Sequence, residues 1–345
     1  MNASSPTISV ITVTYRQGEV VRPVVEAVTA QLRAADELIV ADNASGDDTP
    51  AVVRDAAPGA TLIETGANLG FAGACNRAAT TAAGELLVFL NPDAVPAPGW
   101  RDAIAAPLRD GSGWAAWQAL VTAESGRIVN TRGGVVHFTG IAWAGGAGEP
   151  VDAVPEPAVE PGFASGACLA IPRVQFLELG GFAEEFFLYH EDVDLSLRVR
   201  LAGGRLGVAG GARVDHEYEF DKGAAKWRYL ERNRWSTLLR VYPAPLLLLL
   251  APALAATELA LIPASIAGGW FGQKLRAWGD VFRALPRLAR ERREVQSTRT
   301  VGAGEFARAL TPALDSPFLG AASSSTALNR LLAGYWRLVL RLLGA

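Results

Sequence analysis

Apolar positions in the first third of the chain follow two alternating rhythms. Ile8-Ser9-Val10-Ile11-Thr12-Val13-Thr14 reads as a buried strand, and Val20, Val21, Val24, Val25, Val28 and Leu32 then recur at the spacing of one helix face. Glu37-Leu38-Ile39-Val40-Ala41 is strand again, followed by a helix over 47–57, a strand at Thr61-Leu62-Ile63, a helix over 71–83 and a strand from Leu86 to Leu90. Strands alternating with helices in this way predict an α/β fold with a mostly parallel sheet covered on both faces. Such a sheet keeps its ligand outside the carboxyl ends of its strands.

The rhythm breaks after Gly111. A Gly-, Ala- and Trp-rich stretch follows, with a hairpin expected around Arg127 to Phe138 and a Pro-rich surface loop from Glu149 to Pro161 that is a candidate lid. Beyond residue 221 the pattern predicts a second, helical region over 222–345, next to an α/β domain over 1–221. Within it, 241–273 carries Glu258 as its only charge and the unbroken row Leu246 to Leu250. Prolines 243, 245, 252 and 263 divide this segment, so neither half matches the ~20 residues of a simple membrane span. Its borders are basic: Arg228, Arg232, Arg234 and Arg240 precede it, and Lys274, Arg276, Arg283, Arg287 and Arg290 follow. That arrangement favours attachment to an anionic membrane surface, by spanning it or by lying on it, over the alternative of a buried core helix pair.

Composition adds three points. The 345 residues, half of them apolar, are enough for a full core and an additional element. The net charge of −3 conceals 14 Lys and Arg against 5 Asp and Glu between Lys222 and Thr300, so an acidic body (−12) carries a basic tail (+9). Two cysteines, Cys75 and Cys168, make neither a disulfide framework nor a zinc site and are expected as small core residues in a reducing compartment. Met1 leads into the first strand without the charged and apolar sections of a signal peptide, which predicts a cytoplasmic location.

Candidate chemistry gathers at the strand ends. Thr14-Tyr15-Arg16 closes the first strand, Asp42-Asn43 the second, Asn68 to Asn76 follows the third, and Asn91-Pro92-Asp93 closes the fourth. Downstream, Glu191, Asp192 and Asp194 open a predicted helix after an aromatic run, and His216 follows a strand-like segment. Each group also has a structural reading. Asp42-Asn43 and Asn91-Pro92 are turn formers, Asn68 can start a helix, His216 can serve as a cap or a solvated group, and acids in a first turn suit the helix dipole, with Asp194 at pairing distance from Arg198. Their coincidence at one sheet edge points to a site.

These motifs, together with Ser165-Gly166-Ala167-Cys168, Gly180-Gly181-Phe182 and Tyr189-His190-Glu191-Asp192-Val193-Asp194-Leu195, stand in the order seen in family 2 glycosyltransferases, and the chain resembles the bacterial rhamnosyltransferase-like branch over about residues 7 to 240. One departure from the general pattern is Asn91-Pro92-Asp93 in place of an acid-any-acid metal motif, which leaves Asp93 as the only carboxylate there.

The resemblance implies an A-type glycosyltransferase fold and an inverting transfer from a nucleotide-sugar donor (dTDP-rhamnose or a UDP-sugar) to a lipid-linked glycan acceptor at the cytoplasmic face of a membrane, with no nucleic-acid partner. Under it, Asp93 and His216 would hold Mg²⁺ or Mn²⁺ on the donor diphosphate. Thr14, Tyr15, Arg16, Asp42, Asn43, Asn68, Gly70, Phe71, Asn76 and Asn91 would surround the donor, with the diphosphate at a helix start. Asp192 would be the general base and Glu191 would hold the acceptor or orient its neighbour, the reverse assignment staying open. Ser165 and Gly166 would shape the acceptor side. A UDP- or GDP-hexose transferase and a catalytically inactive membrane-tethered sugar-binding module are alternatives, the latter opposed by the intact Asp93 and Asp192. A nicotinamide-dependent oxidoreductase is disfavoured because only Gly18 follows the first strand where a glycine fingerprint would stand.

Overall fold

The computed structural model describes residues 6–153, 160–217, 223–316 and 324–345. The strands are β1 (Ile8–Thr14), β2 (Glu37–Asp42), β3 (Thr61–Glu64), β4 (Leu86–Leu90), β5 (Ala94–Pro96), β6 (Trp114–Ala123), β7 (Ile128–Thr131), β8 (Gly134–Val136), β9 (Ala142–Ala144), β10 (Cys168–Pro172) and β11 (Arg205–His216). The helices are α1 (Arg22–Thr29), α2 (Thr49–Ala56), α3 (Gly70–Ala79), α4 (Trp100–Ala105), α5 (Arg173–Glu178), α6 (Glu191–Leu201), α7 (Ala225–Val241), α8 (Ala244–Ala267), α9 (Phe271–Ser297), α10 (Ala303–Arg308) and α11 (Thr326–Leu342).

The main sheet runs β3-β2-β1-β4-β10-β6-β11-β5, with β7 beside β6. β1 to β4 are mutually parallel, as the alternating pattern predicts. β10 enters antiparallel between β4 and β6, and β6 and β11 are parallel again. From β1 the chain builds outward through β2 and β3, then returns to place β4 on the other side of β1. That reversal is the switch point at which open α/β sheets bind ligands.

Side chains of β4 alternate between two cores. Leu86, Val88 and Leu90 join Val24, Val25 and Val28 of α1, whereas Leu87 and Phe89 join Ala72, Cys75 and Ala78 of α3. All five β4 residues are buried, and each large side chain contributes ~1.5–3 kcal/mol. Cys75 and Cys168 are buried free thiols, as expected, and burial pushes the Cys168 thiol up to about 12. A third core joins Val193, Leu197 and Leu201 of α6 to Leu238, Leu246, Val295, Phe306 and Trp336 of the C-terminal helices. The boundary expected at 221 lies outside the described residues, as do residues 154–159 of the expected lid.

Two local expectations need correction. Around Arg127 to Phe138 the structure has no single hairpin: β7 folds back on β6 through a turn at Glu124-Ser125-Gly126, and β8 pairs with β9. The prolines do not divide the apolar segment either. α8 is one 24-residue helix that passes through Pro252 and Pro263; an 18-residue stretch of it has mean hydropathy 2.0, and it is long and apolar enough to cross a membrane. Pro245 sits in its first turn, where no N–H is needed. The interior prolines are tolerated because Leu246, Leu250 and Leu254 anchor the helix in the third core.

The basic borders of this segment are largely spent inside the molecule. Lys274, fully buried, and Arg234 both pair with Glu258 and Glu231. Arg228 pairs with Asp280, Arg240 with Asp194 and Glu291, and Arg287 with Glu185 and Glu291. Leaving the buried Lys274, Arg234 and Arg240 unpaired would cost several kcal/mol each, whereas Arg228 and Arg287 pair nearer the surface. Arg276, Arg283 and Arg290 stay exposed.

Candidate active site

The carboxyl ends of β1 and β2 are tied together by short polar bonds. Thr14 Oγ1 donates to Asp42 Oδ1 at 3.0 Å, and Ser45 donates to the same carboxylate through its N–H (3.1 Å) and its hydroxyl. Asp42 therefore builds the loop that would meet a donor. Asn43 does likewise, donating to Gly70 O and accepting from Leu69 N–H, which fixes the entry to α3. Tyr15 lies 40% exposed with the Arg16 guanidinium 5.2 Å from its ring centroid, so it presents an aromatic face at the rim. Asn68 Oδ1 accepts from Gly70 N–H at 2.9 Å and shapes the turn. Gly70 has φ +71°, and a Cβ there would lie 2.3 Å from Phe187 O, so only glycine fits.

One expected donor residue is placed elsewhere. Asn76 donates to Phe182 O and Glu184 and accepts from Phe182 N–H at 2.8 Å, bracing α3 against the Gly181-Phe182 loop. Its amide is consumed by that brace and is not aimed at the strand ends.

Asn91 N–H donates to Ala167 O and Asn91 O accepts from Ala94 N–H, closing the turn that presents Asp93. His216 ends β11, paired in register with Ala94 of β5, and its Nε2 lies 3.1 Å from Asp93 Oδ1. Two residues far apart in sequence thus make a carboxylate–imidazole pair at the sheet edge. Among the described residues no cluster of three His, Cys, Asp or Glu groups forms. Asp93 and His216 offer one carboxylate and one imidazole, a donor set that would hold a cation only with further ligands from a substrate or water.

α6 opens with the acids. Asp192 Oδ2 accepts from Gly166 N–H at 2.9 Å and Oδ1 from Val193 N–H at 2.8 Å. The segment 165–168 therefore bonds both to the Asp192 carboxylate and, through Ala167 O, to the Asn91 turn that precedes Asp93. Ser165 supports it by donating its N–H to Gln118 Oε1. Glu191 is buried, with Oε2 lacking a hydrogen-bond partner among the described residues. Burial, then the neighbouring Asp192 charge, raises the Glu191 carboxyl far above the usual carboxylate range. Burial also raises Asp192, but the N–H groups of Gly166 and Val193 work against it. Both carboxyls are thus pushed toward their protonated forms, Glu191 also by its neighbour's charge, while Asp192 alone keeps two backbone N–H partners for its charged form.

Asp194 has the structural role foreseen for it, and more. Arg198 Nε lies 2.7 Å away and Arg240 of α7 lies 3.4 Å away. Burial opposes its charge, yet the Arg240 and Arg198 cations outweigh burial and hold its carboxyl below the usual range.

Sequence reading missed the support from α7. Asn233, fully buried, donates its amide to the carbonyls of Phe186, Leu188 and Tyr189 at 3.1, 3.0 and 2.7 Å. His190 Nε2 is 3.1 Å from Gly140 O, and its Nδ1 3.3 Å from Thr237 Oγ1. An asparagine between two arginines on a helix is ordinary as sequence; only its burial distinguishes it.

Comparison with known proteins bears on the family and the fold. The profile of "Glycosyl transferase family 2" matches residues 9–133. An N-acetylglucosaminyl-diphospho-decaprenol L-rhamnosyltransferase of Mycobacterium tuberculosis is 31% identical over 263 residues, covering 67% of this chain and 83% of that protein. The O-antigen biosynthesis protein RfbC of Myxococcus xanthus is 28% identical over 227 residues, 61% of this chain but 17% of RfbC. Among solved structures, GalNAc-T7 with UDP, GalNAc and Mn²⁺ superposes with TM-score 0.57 at 16% identity over 70% of this chain, which spans about half (49%) of that one. The fold is that of the A-type glycosyltransferases.

Proposed function

Because the chain belongs to glycosyl transferase family 2 and is a glycosyltransferase, we propose that it transfers L-rhamnose from dTDP-rhamnose, with inversion, to a hydroxyl of a lipid-linked glycan at the cytoplasmic face of a membrane. The observation that carries this reading is the 165–168 segment, which bonds both to the Asp192 carboxylate and to the Asn91 turn that precedes Asp93, itself beside His216.

In a single displacement the acceptor oxygen bonds to the anomeric carbon while the bond from that carbon to the donor phosphate breaks. The hydroxyl proton passes to Asp192, and the electron pair leaves with the nucleoside diphosphate. Asp192 suits the role because Gly166 N–H orients its carboxylate and burial raises its affinity for a proton. Asp93 and His216 would hold Mg²⁺ or Mn²⁺, which when bound neutralises charge on the leaving diphosphate. The Tyr15 ring would lie against the base. The amino end of α3, opened by Asn68 and Gly70, would face the diphosphate. Ser165 and Gly166 would border the acceptor.

The donor and acceptor classes draw support from the Mycobacterium tuberculosis relative, whose name specifies a rhamnosyl group and a diphospho-decaprenol acceptor. Membrane contact draws support from α8, whose one charge, Glu258, faces Arg234 and Lys274 within the protein while Leu248, Leu259 and Ile266 point outward. Purified protein should release dTDP from dTDP-rhamnose in the presence of a polyprenyl-diphosphate glycan and Mn²⁺ or Mg²⁺. Turnover with UDP- or GDP-hexoses and none with dTDP-rhamnose would replace the donor assignment.

A further inference from the structure

We propose that Asn233 is a positioning residue for the Glu191–Asp192 pair, holding a strained segment in the one conformation that presents both acids between the donor-side helix α3 and α7. The inference rests on the reading of Asp192 as the base.

Residues 187–190 enter α6 through three non-glycine residues in the left-handed region: Phe187 (φ 63°), Tyr189 (φ 67°) and His190 (φ 71°). Such backbone persists only where its surroundings over-determine it, and it concentrates at functional sites. Here the restraint comes from two sides. On the donor side, Phe187 O accepts from Phe71 N–H at 2.7 Å, with Gly70 pressed against it. From α7, the single Asn233 amide nitrogen meets the three remaining carbonyls, of Phe186, Leu188 and Tyr189.

Those carbonyls converge on an amide whose two N–H protons serve three acceptors; Phe186 O also accepts from Leu188 N–H, so what the amide alone ties to α7 is Leu188 O and Tyr189 O. The orientation of the amide is fixed as well. Arg232 Nε donates to Asn233 Oδ1 at 2.9 Å, which turns the NH₂ toward the loop, and the same guanidinium donates to Phe186 O. Asp in place of Asn233 would be nearly isosteric but would set a carboxylate against three carbonyl oxygens. The acids begin two residues after Tyr189, so a shift of the loop moves Asp192 relative to Gly166 and to the acceptor.

The test uses the full chain and compares Asn233→Ala and Asn233→Asp with wild type. Misplacing a reacting group by about 1 Å costs ~100-fold in rate, so kcat is expected to fall on that scale while KM for the sugar nucleotide stays within about threefold. Placing Tyr189→Gly in the Asn233→Ala background should restore about tenfold, because glycine adopts positive φ without strain. Amide hydrogen exchange provides a readout independent of turnover: protection should be lost at 186–192 in both variants while β1 and β4 keep theirs. Unchanged exchange at 186–192, or a kcat near wild type in Asn233→Asp, would overturn the proposal. Global loss of protection together with no rescue by Tyr189→Gly would also overturn it, as the mark of a general folding role. A wild-type protein inactive with every sugar nucleotide would refute the proposed function, and hydrogen exchange would still decide the role of Asn233 as the clamp on this segment.

Discussion

His216 Nε2 stands 3.1 Å from Asp93 Oδ1, and the pairing of β11 with β5 is what brings them together. If this pair holds the donor's cation, Asp93→Ala and His216→Ala should each weaken Mn²⁺-dependent binding of a nucleoside diphosphate by at least about tenfold, the scale on which even outer-shell partners act. Titration calorimetry with Mn²⁺ and with a chelator checks this. Equal affinity for His216→Ala and wild type in the presence of metal would make the histidine structural.

Asp192→Asn keeps the acceptor oxygen for Gly166 N–H but cannot take a proton. Turnover should fall by about a hundredfold or more while nucleotide affinity is unchanged, as for loss of a general base. Near-normal turnover would move the role to Glu191.

Stability should fall on the acid side of neutrality. Burial pushes His137 and His190 down to about 4, well below the 6.5 of a free imidazole. Between those values the unfolded chain binds protons that the folded chain refuses. Their neutral forms thus cost nothing above pH 6.5, and stability drains as pH falls from there to about 4, by up to roughly 3 kcal/mol per histidine. Thermal melts from pH 7.5 to 4.5 should show this, and a His137→Gln, His190→Gln double variant should have a shallower profile. Parallel profiles would sink the assignment.

The outward face of α8 is expected to contact lipid. Leu248→Asp with Leu259→Asp leaves the buried Glu258 pairs untouched and should release the protein from anionic vesicles in a flotation assay, each charge costing ~2.5–3.5 kcal/mol at bilayer depth. Flotation equal to wild type would remove α8 from the interface.

Much of the parallel half of the fold was legible because β1, β2 and β4 bury nearly every residue, and an uninterrupted apolar run has few other uses. The acids were legible for a similar reason, since turn formers and carboxylates recur at strand ends. What sequence spacing could not give were partners fixed by distant chain. The antiparallel β10 wedged beside β4, Asn76 turned toward Phe182, the cations of the basic borders drawn onto Glu231 and Glu258, and a helix continuing through Pro252 all depend on contacts with residues far along the chain.

The third core has a practical side. Because α6 packs its Val193, Leu197 and Leu201 against helices that also carry the apolar outer face, the part of the protein that would find the membrane and the part that would perform the transfer share one set of side chains. Trimming the chain to make it easier to handle would strip the cover from the helix bearing the acids. Loss of activity in such a fragment would then report damage to the helix that carries Glu191 and Asp192 and say nothing about whether the enzyme must reside at a membrane to work.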